Sequence, residues 1–214
     1  MSPIRLAVPP GRAGRLWLVQ RLALAQRAAG LLDRKLQVLT AELARARAAA
    51  ERTGQAWEAA CRAAQREQFR AVLLGGERAI RLAAHGPDAQ VTISFTVTMG
   101  ARHPAAAQYS AGQPEGWDGA AVAAARQAHR VALTAAVRHA AAAAALAVIE
   151  KETLTTQYRL RAVRDRWIPG LSEALRQVES ALEELERDEA ARLRIVRREP
   201  AAAVRHAGRA KPSG

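Results

Sequence analysis

The chain has 214 residues, enough for one or two domains, and its 33 Lys and Arg against 20 Asp and Glu give a net charge of +13. Aromatic residues make up only 4%, which excludes a large aromatic-rich core. The positive balance points to nucleic acid, an anionic membrane or an acidic protein without choosing among them. A single cysteine, Cys61, excludes an internal disulfide and fits a reducing compartment.

The opening MSPIRLAVPPGRAG lacks the apolar run of a signal peptide, so residues 1–11 read as an N-terminal extension. A first arm follows over 12–84. Its apolar or small positions are Leu18, Leu22, Ala25, Ala29, Leu32, Leu36, Leu39, Leu43, Ala46, Ala50, Thr53 and Trp57, in steps that alternate four and three. That is a heptad seam, the pattern of a coiled coil. No proline interrupts Arg12 to Ala84.

The middle segment, 85–118, opens on the turn signal His85-Gly86-Pro87-Asp88. Strict alternation of β-branched and aromatic residues follows. Val91, Ile93, Phe95 and Val97 share one face of a predicted strand. Gly100 to Gly119 is rich in Gly, Pro and Ala and reads as loop.

A second arm is predicted over 119–199, with Asp118 as a plausible cap. Its seam is Leu146, Ile149, Thr153, Thr156, Leu160, Val163, Trp167, Leu171, Leu175, Val178, Leu182 and Leu185. The alanine-rich stretch before Leu146 lets a neighbouring helix approach closely. Its longest apolar run, Ala140 to Ile149, is far short of the ~20 residues that cross a bilayer, so no direct membrane insertion is expected. The steps 163, 167, 171, 175 are all fours, so one extra residue enters the phase around Pro169-Gly170. Pro169 cannot donate to the Asp165 carbonyl, and a lone helix would break there. Because the seam continues on both sides, a kinked but continuous helix is expected, the extra residue absorbed by a local change of winding. Residues 200–214 read as a disordered basic tail.

Two seams flanking one non-helical segment fold most simply as a mainly α protein, a long antiparallel two-helix coiled coil with a small middle segment holding a short β-strand or hairpin. An arm of ~60 residues at ~1.5 Å each would be roughly 90 Å long. The acids of the second arm, Glu173, Glu179, Glu183, Glu184, Glu186, Asp188 and Glu189, suggest a register in which partner numbers total about 210, facing Arg21, Arg27, Arg34 and Lys35.

No catalytic constellation is found. The histidines His85, His103, His129, His139 and His206 form no metal-ligand spacing, Gly75-Gly76 is not followed by the Lys-Ser/Thr of a phosphate loop, and Cys61 lies beside the seam as a core thiol. Trp17, Trp57 and Trp167 read as packing residues, and Trp117 as a loop or partner contact. No cofactor, metal or small-molecule substrate is expected. From Arg12 to Arg81 there are fourteen basic and six acidic residues, whereas Glu150 to Glu199 has eleven of each. The basic surplus gathers at the two ends, where the hairpin would place Arg12, Arg15, Arg192 and Arg194 at one tip. No stacking platform or nucleic-acid motif accompanies them.

Three patches resemble the D-subunit family of V/A-type rotary ATPases. Pro10-Gly11-Arg12 through Leu16, Leu22, Ala25, Gly30-Leu31-Leu32, Lys35 and Leu39 is similar to the family's opening. Met99-Gly100 with Pro104 is similar to its central "MG…P". Arg161-Ala162-Val163 with Ile168-Pro169, then Leu185-Glu186-Arg187-Asp188-Glu189 and Arg192-Leu193, resemble its C-terminal motifs. Arg164, Asp165 and Arg166 depart from its usual Asn-Ala-Leu, and Ala190-Ala191 from its aromatic pair. The resemblance implies a non-catalytic central rotor stalk of a V-type ATPase or ATP synthase, transmitting torque between the catalytic A/B hexamer and the ion-translocating membrane ring. It implies the F subunit of the stalk beside the middle segment, another subunit seating the foot on the ring, and a cytoplasmic location peripheral to the membrane. A basic coiled-coil scaffold or nucleic-acid-binding protein is the alternative. The tip arginines are candidates for hexamer contact, and the strand Val91–Val97 for pairing with a neighbour or for packing at the foot.

Overall fold

The computed structural model describes residues 7–83, 89–112 and 119–207, with side chains as far as 194. Helix α1 spans Gly11–Ala83, strands β1 and β2 span Ala89–Thr98 and Ala101–Ala111, and helix α2 spans Ala120–Ala162. A π-helical turn, Val163–Trp167, leads into helix α3, Ile168–Ala207. The protein is mainly helical, with long helices packed together and a two-stranded antiparallel sheet in the middle, as the seam pattern predicts. The chain divides into two compact units, residues 1–31 with 159–214 and residues 32–158.

Burial along α1 keeps time with the heptads. The deepest positions, Leu18, Ala29, Leu39 and Ala50, are separated by eleven, ten and eleven residues, three turns of a 3.5-residue repeat. Leu22, Leu32, Leu36 and Leu43 are half-buried between them. The repeat runs on beyond Trp57 through Ala64 and Ala71, both buried. At Gly76 α1 leaves helical geometry, with φ 70° and ψ 165°, a conformation open to glycine and not to residues with a Cβ. The first arm therefore carries a break inside the span expected to be uninterrupted. The segment after the break packs Ala79, Ile80 and Ala83 onto Val122 and Ala125 of α2.

In the unit formed by 32–158, α1 and α2 run antiparallel. Arg47 bonds Glu150 at 2.8 Å, Thr53 meets His139 at 3.3 Å, and Gln68 meets His129 at 3.0 Å. Lys35 donates to Glu152 at 2.6 Å in a partly buried pair. On α2 and beyond, Ala125, Ala132, Ala145, Ile149, Thr153, Thr156 and Leu160 are buried, and Leu146 is half-buried. The Thr153 hydroxyl donates to the Ile149 carbonyl at 2.7 Å, so a polar residue sits in the seam without an unmet hydrogen bond. By length and composition one described helix, Ala120–Arg194, is apolar enough to cross a membrane.

The helix is continuous at Pro169. The Ile168 N–H donates to the Val163 carbonyl, one residue further back than in an α-helix. Such a turn accommodates one additional residue, the amount by which the heptad phase slips. Val163 and Leu175 are half-buried and Leu171 is buried on either side of it, whereas Trp167 is 46% exposed and leaves the expected seam.

Three further expectations are corrected. Residues 101–111 form a strand, not loop. Met99 and Gly100, with φ 51° and 87°, make a two-residue turn with both central residues at positive φ, and Thr98 pairs with Ala101 directly after it. That geometry matches the twist of a hairpin. Pro104 is tolerated because the register shifts there, Ser94 facing Ala106 and Phe95 facing Pro104. Second, α3 continues to Ala207, so 200–207 are helical. The turn at 85–88, Trp117, the Asp118 cap and 208–214 lie outside the described residues.

Third, the helix register differs from the one inferred from charge. The charge pattern places Arg12 opposite position 198 and Arg15 opposite 195. They pair instead with Glu186 and Glu179, about three or four turns earlier. Lys35 meets Glu152 rather than the acid window. Leu185 is accordingly 59% exposed, outside the seam, while Val178 and Leu182 are half-buried.

The burial pattern predicts unequal effects of truncating apparently equivalent leucines. Leu18→Ala should cost about 2–5 kcal/mol in urea denaturation followed by helical circular dichroism. Leu185→Ala should stay within ~0.5 kcal/mol. Equal losses would show that Leu185 is a seam residue after all.

Candidate functional site

The unit formed by 1–31 and 159–214 carries the basic tip residues. The Arg12 Nη2 donates to Glu186 Oε1 at 3.1 Å, and the Arg15 Nε donates to Glu179 Oε1 at 2.8 Å. Both pairs are exposed, so each is worth no more than ~1 kcal/mol and is screened by salt. They line a groove with exposed Leu16 and Val19 on α1 and half-buried Leu182 on α3. From Glu183, at the rim of the groove, to Arg194 every α3 residue is exposed. Leu185 and Leu193 stand open to solvent there, among Arg187, Arg192 and Arg194 and the acids Glu184, Asp188 and Glu189. The reason is the register: with Arg12 opposite Glu186, α1 does not extend alongside this part of α3. Arg12 and Arg15 are thus already answered by acids of the same chain, whereas Arg192 and Arg194 lie farther along the open helix.

In the other unit, β1 is exposed from Ala89 through Val97. Val91, Ile93, Phe95 and Val97 are each about half exposed, and the guanidinium of Arg102 lies 4.3 Å over the Phe95 ring. β2 is the inner strand, with Ala101 and Ala107 buried. The sequence of β1 has neither charge nor proline, the two devices that ordinarily keep an edge strand from pairing.

The family model for the ATP synthase D subunit matches residues 16–198, most of the chain. The chain belongs to the ATP synthase D-subunit family. Compared with curated proteins individually, it matches none. The D subunit is a stalk component of an ATP synthase and is generally non-catalytic. Membership places the chain in a complex with other ATP synthase subunits, associated with a membrane.

Several polar and titratable side chains of this D subunit serve packing or internal hydrogen bonds. The His139 ring stacks on Trp57 with centroids 5.4 Å apart and accepts or donates a bond to Thr53. His103 bonds Thr98 across the hairpin turn at 3.0 Å. Arg21 lies 5.1 Å over the Trp17 ring. Cys61 is a half-buried free thiol. Among the described residues no group of three or more His, Cys, Asp or Glu side chains converges as a metal site would.

Sequence reasoning misses one group. Arg52, Arg130 and Arg138 line a single cleft with Tyr109, yet they are scattered along two helices and no local pattern announces them. It also misses the apolar strip on the second half of α1, where Phe69, Leu73 and Leu74 are well exposed beside Arg62, Arg66 and Arg70.

The register can be checked by crosslinking. In a Cys61→Ser background, cysteines replacing Arg15 and Glu179 should join efficiently through a short bis-maleimide. The pair Arg21→Cys with Glu189→Cys, which the charge-based register would juxtapose, should join poorly. The reverse outcome would restore that register.

Proposed function

We propose that this D subunit is the central rotor stalk of a V/A-type ATP synthase, transmitting torque between the catalytic hexamer and an ion-translocating membrane ring. The carrying observation is the open end of α3: a single helix with exposed Leu185 and Leu193 and with Arg187, Arg192 and Arg194, continuing past the groove that Arg12 and Arg15 share with Glu186 and Glu179. An isolated soluble helix has little reason to hold such residues open to water. A surrounding hexamer of catalytic A and B subunits would cover them.

The mechanism is differential contact. One helix end presents a different side to each catalytic interface, so turning it favours a different conformation at each. ATP chemistry stays in the hexamer, and this chain biases which catalytic unit is open. The exposed β1 and the strip Phe69-Leu73-Leu74 are further apolar surfaces among the described residues. We assign them to the F subunit of the stalk and to the subunit seating the stalk on the ring. Exposure of Val91, Ile93, Phe95 and Val97 favours pairing with a neighbour over packing at the foot.

Arg192→Glu combined with Arg194→Glu is the cleanest test, because these residues hold no described ion pair whose loss would disturb the helix. In a reconstituted complex the double variant should keep its helical circular dichroism. Ion pumping per ATP hydrolysed should fall by at least ~5-fold. Arg12→Glu with Arg15→Glu should act in the same direction, with an added stability loss of up to ~1 kcal/mol per lost pair. Unchanged coupling in both would remove the tip from the mechanism.

A further inference from the structure

A cleft of about 680 Å³ opens in the unit formed by residues 32–158. Its walls are α1, α2 and the last residues of β2. On α1, Arg52, Ala56 and Ala60 stand one turn apart on a single face; on α2, Arg130, Thr134 and Arg138 do the same. Ala135 and the half-exposed Val131 complete an apolar floor, and the Tyr109 ring stands at the β2 wall.

Elsewhere in the same unit Arg45, Arg47, Arg62 and Arg70 each pair with a glutamate. None of the described ion pairs involves Arg52, Arg130 or Arg138, and no carboxylate is among the described residues lining the cleft. Arg130 Nη2 donates to the Gly112 carbonyl at 3.2 Å, which ties it to the end of β2. A guanidinium has five N–H donors, so that bond leaves most of them unused. Three cations lining one cleft, with no counter-ion among the described residues there, raise the local potential and favour an anion with several acceptor oxygens. Arginine's planar fork matches phosphate in particular. The alanine floor and Tyr109 add a flat apolar surface next to the charge. The volume lies within the ordinary range for small-molecule sites.

We propose that this cleft binds a small organic phosphate, its phosphate held by Arg52, Arg130 and Arg138 and its planar or apolar body laid against Ala56, Ala60, Ala135 and Tyr109. Free nucleotides and phospholipid headgroups share this chemistry. The assignment is independent of the rotor reading, since it rests on the cleft alone.

Calorimetric titration of the full chain at about 0.15 M ionic strength separates the sources. The probes are ADP, dihexanoyl-phosphatidic acid, inorganic tripolyphosphate and a glutamate-rich peptide. Saturable one-to-one binding of ADP, or of the phosphatidic acid, is expected, and whichever binds names the source. Arg52→Gln and Arg138→Gln should each weaken it about tenfold or more. Ala60→Leu, which fills the floor, should weaken the organic phosphate more than tripolyphosphate. Arg66→Gln, on α1 but outside the cleft, should change nothing, and all variants should retain wild-type helical circular dichroism. If Arg66→Gln weakens binding as much as Arg138→Gln, the anion is only answering the chain's net charge and the proposal falls. It falls too if neither organic phosphate binds, or if the peptide alone binds and is lost in Arg138→Gln, which would make the cleft a docking site for an acidic protein segment.

Discussion

The 3.5-residue seam is the constraint on which the remaining features depend. Leu18 and Leu39 are fully buried, and each such side chain contributes roughly 1.5–3 kcal/mol. The exposed pairs Arg12–Glu186 and Arg15–Glu179 contribute less than about 1 kcal/mol apiece. When seam and charge disagree about register, the seam therefore wins. That is what happens here: the acid window of α3 lies opposite the beginning of α1 rather than beside Arg27 and Arg34. The choice has a consequence at the end of the helix pair. Sliding α3 to satisfy the seam carries its residues beyond 186 past the start of α1 and leaves Leu193 exposed among them.

The same constraint explains the two irregularities in the helices. A seam of fixed period tolerates no stray residue, so the extra one near Pro169 has to be stored locally. The π turn at Val163–Trp167 stores it, and stores it just before the proline, where an α-helical hydrogen bond is missing in any case. Trp167 is turned outward as a result. Gly76 is the opposite case. There α1 abandons helical geometry, and the following turn is re-aimed so that Ala79, Ile80 and Ala83 cover Val122 and Ala125. In one place the helix is kept by changing its winding; in the other the helix is interrupted to reach a small core.

What is legible in the sequence follows from how local each signal is. The seam from Leu18 to Thr53 repeats so often that no single residue decides it, and the strand Val91–Val97 declares itself by alternation. The phase slip at Pro169 is visible as three successive steps of four. The β2 strand is not visible, because Ala101–Ala111 has little β propensity of its own and takes its conformation from β1. The Met99-Gly100 pair is the clue to it: two residues between paired strands, both at positive φ. The exposure of Leu185 escapes a sequence reading because it depends on which residue of a distant helix lies opposite. Arg52, Arg130 and Arg138 are illegible as a group for the same reason, since only the fold brings them to one cleft.

A stalk subunit is generally non-catalytic, so much of its function resides in what it leaves uncovered. Among the described residues three such surfaces differ in chemistry. The end of α3 is mixed in charge, with Asp188 and Glu189 beside Arg187, Arg192 and Arg194 and scattered leucines, β1 is apolar and uncharged, and the second half of α1 is apolar and basic. A scaffold that bound a uniform polymer such as nucleic acid would be expected to repeat one surface along its length. Distinct surfaces suit distinct neighbours, each of which must be recognised once and in one orientation. The seam makes this arrangement possible, because a helix pair stabilised internally by small buried residues can place its large apolar side chains elsewhere. Leu73, Leu74, Leu185 and Leu193 are larger than most of what the α2 seam buries, and their position outside it leaves them available to other subunits of the complex.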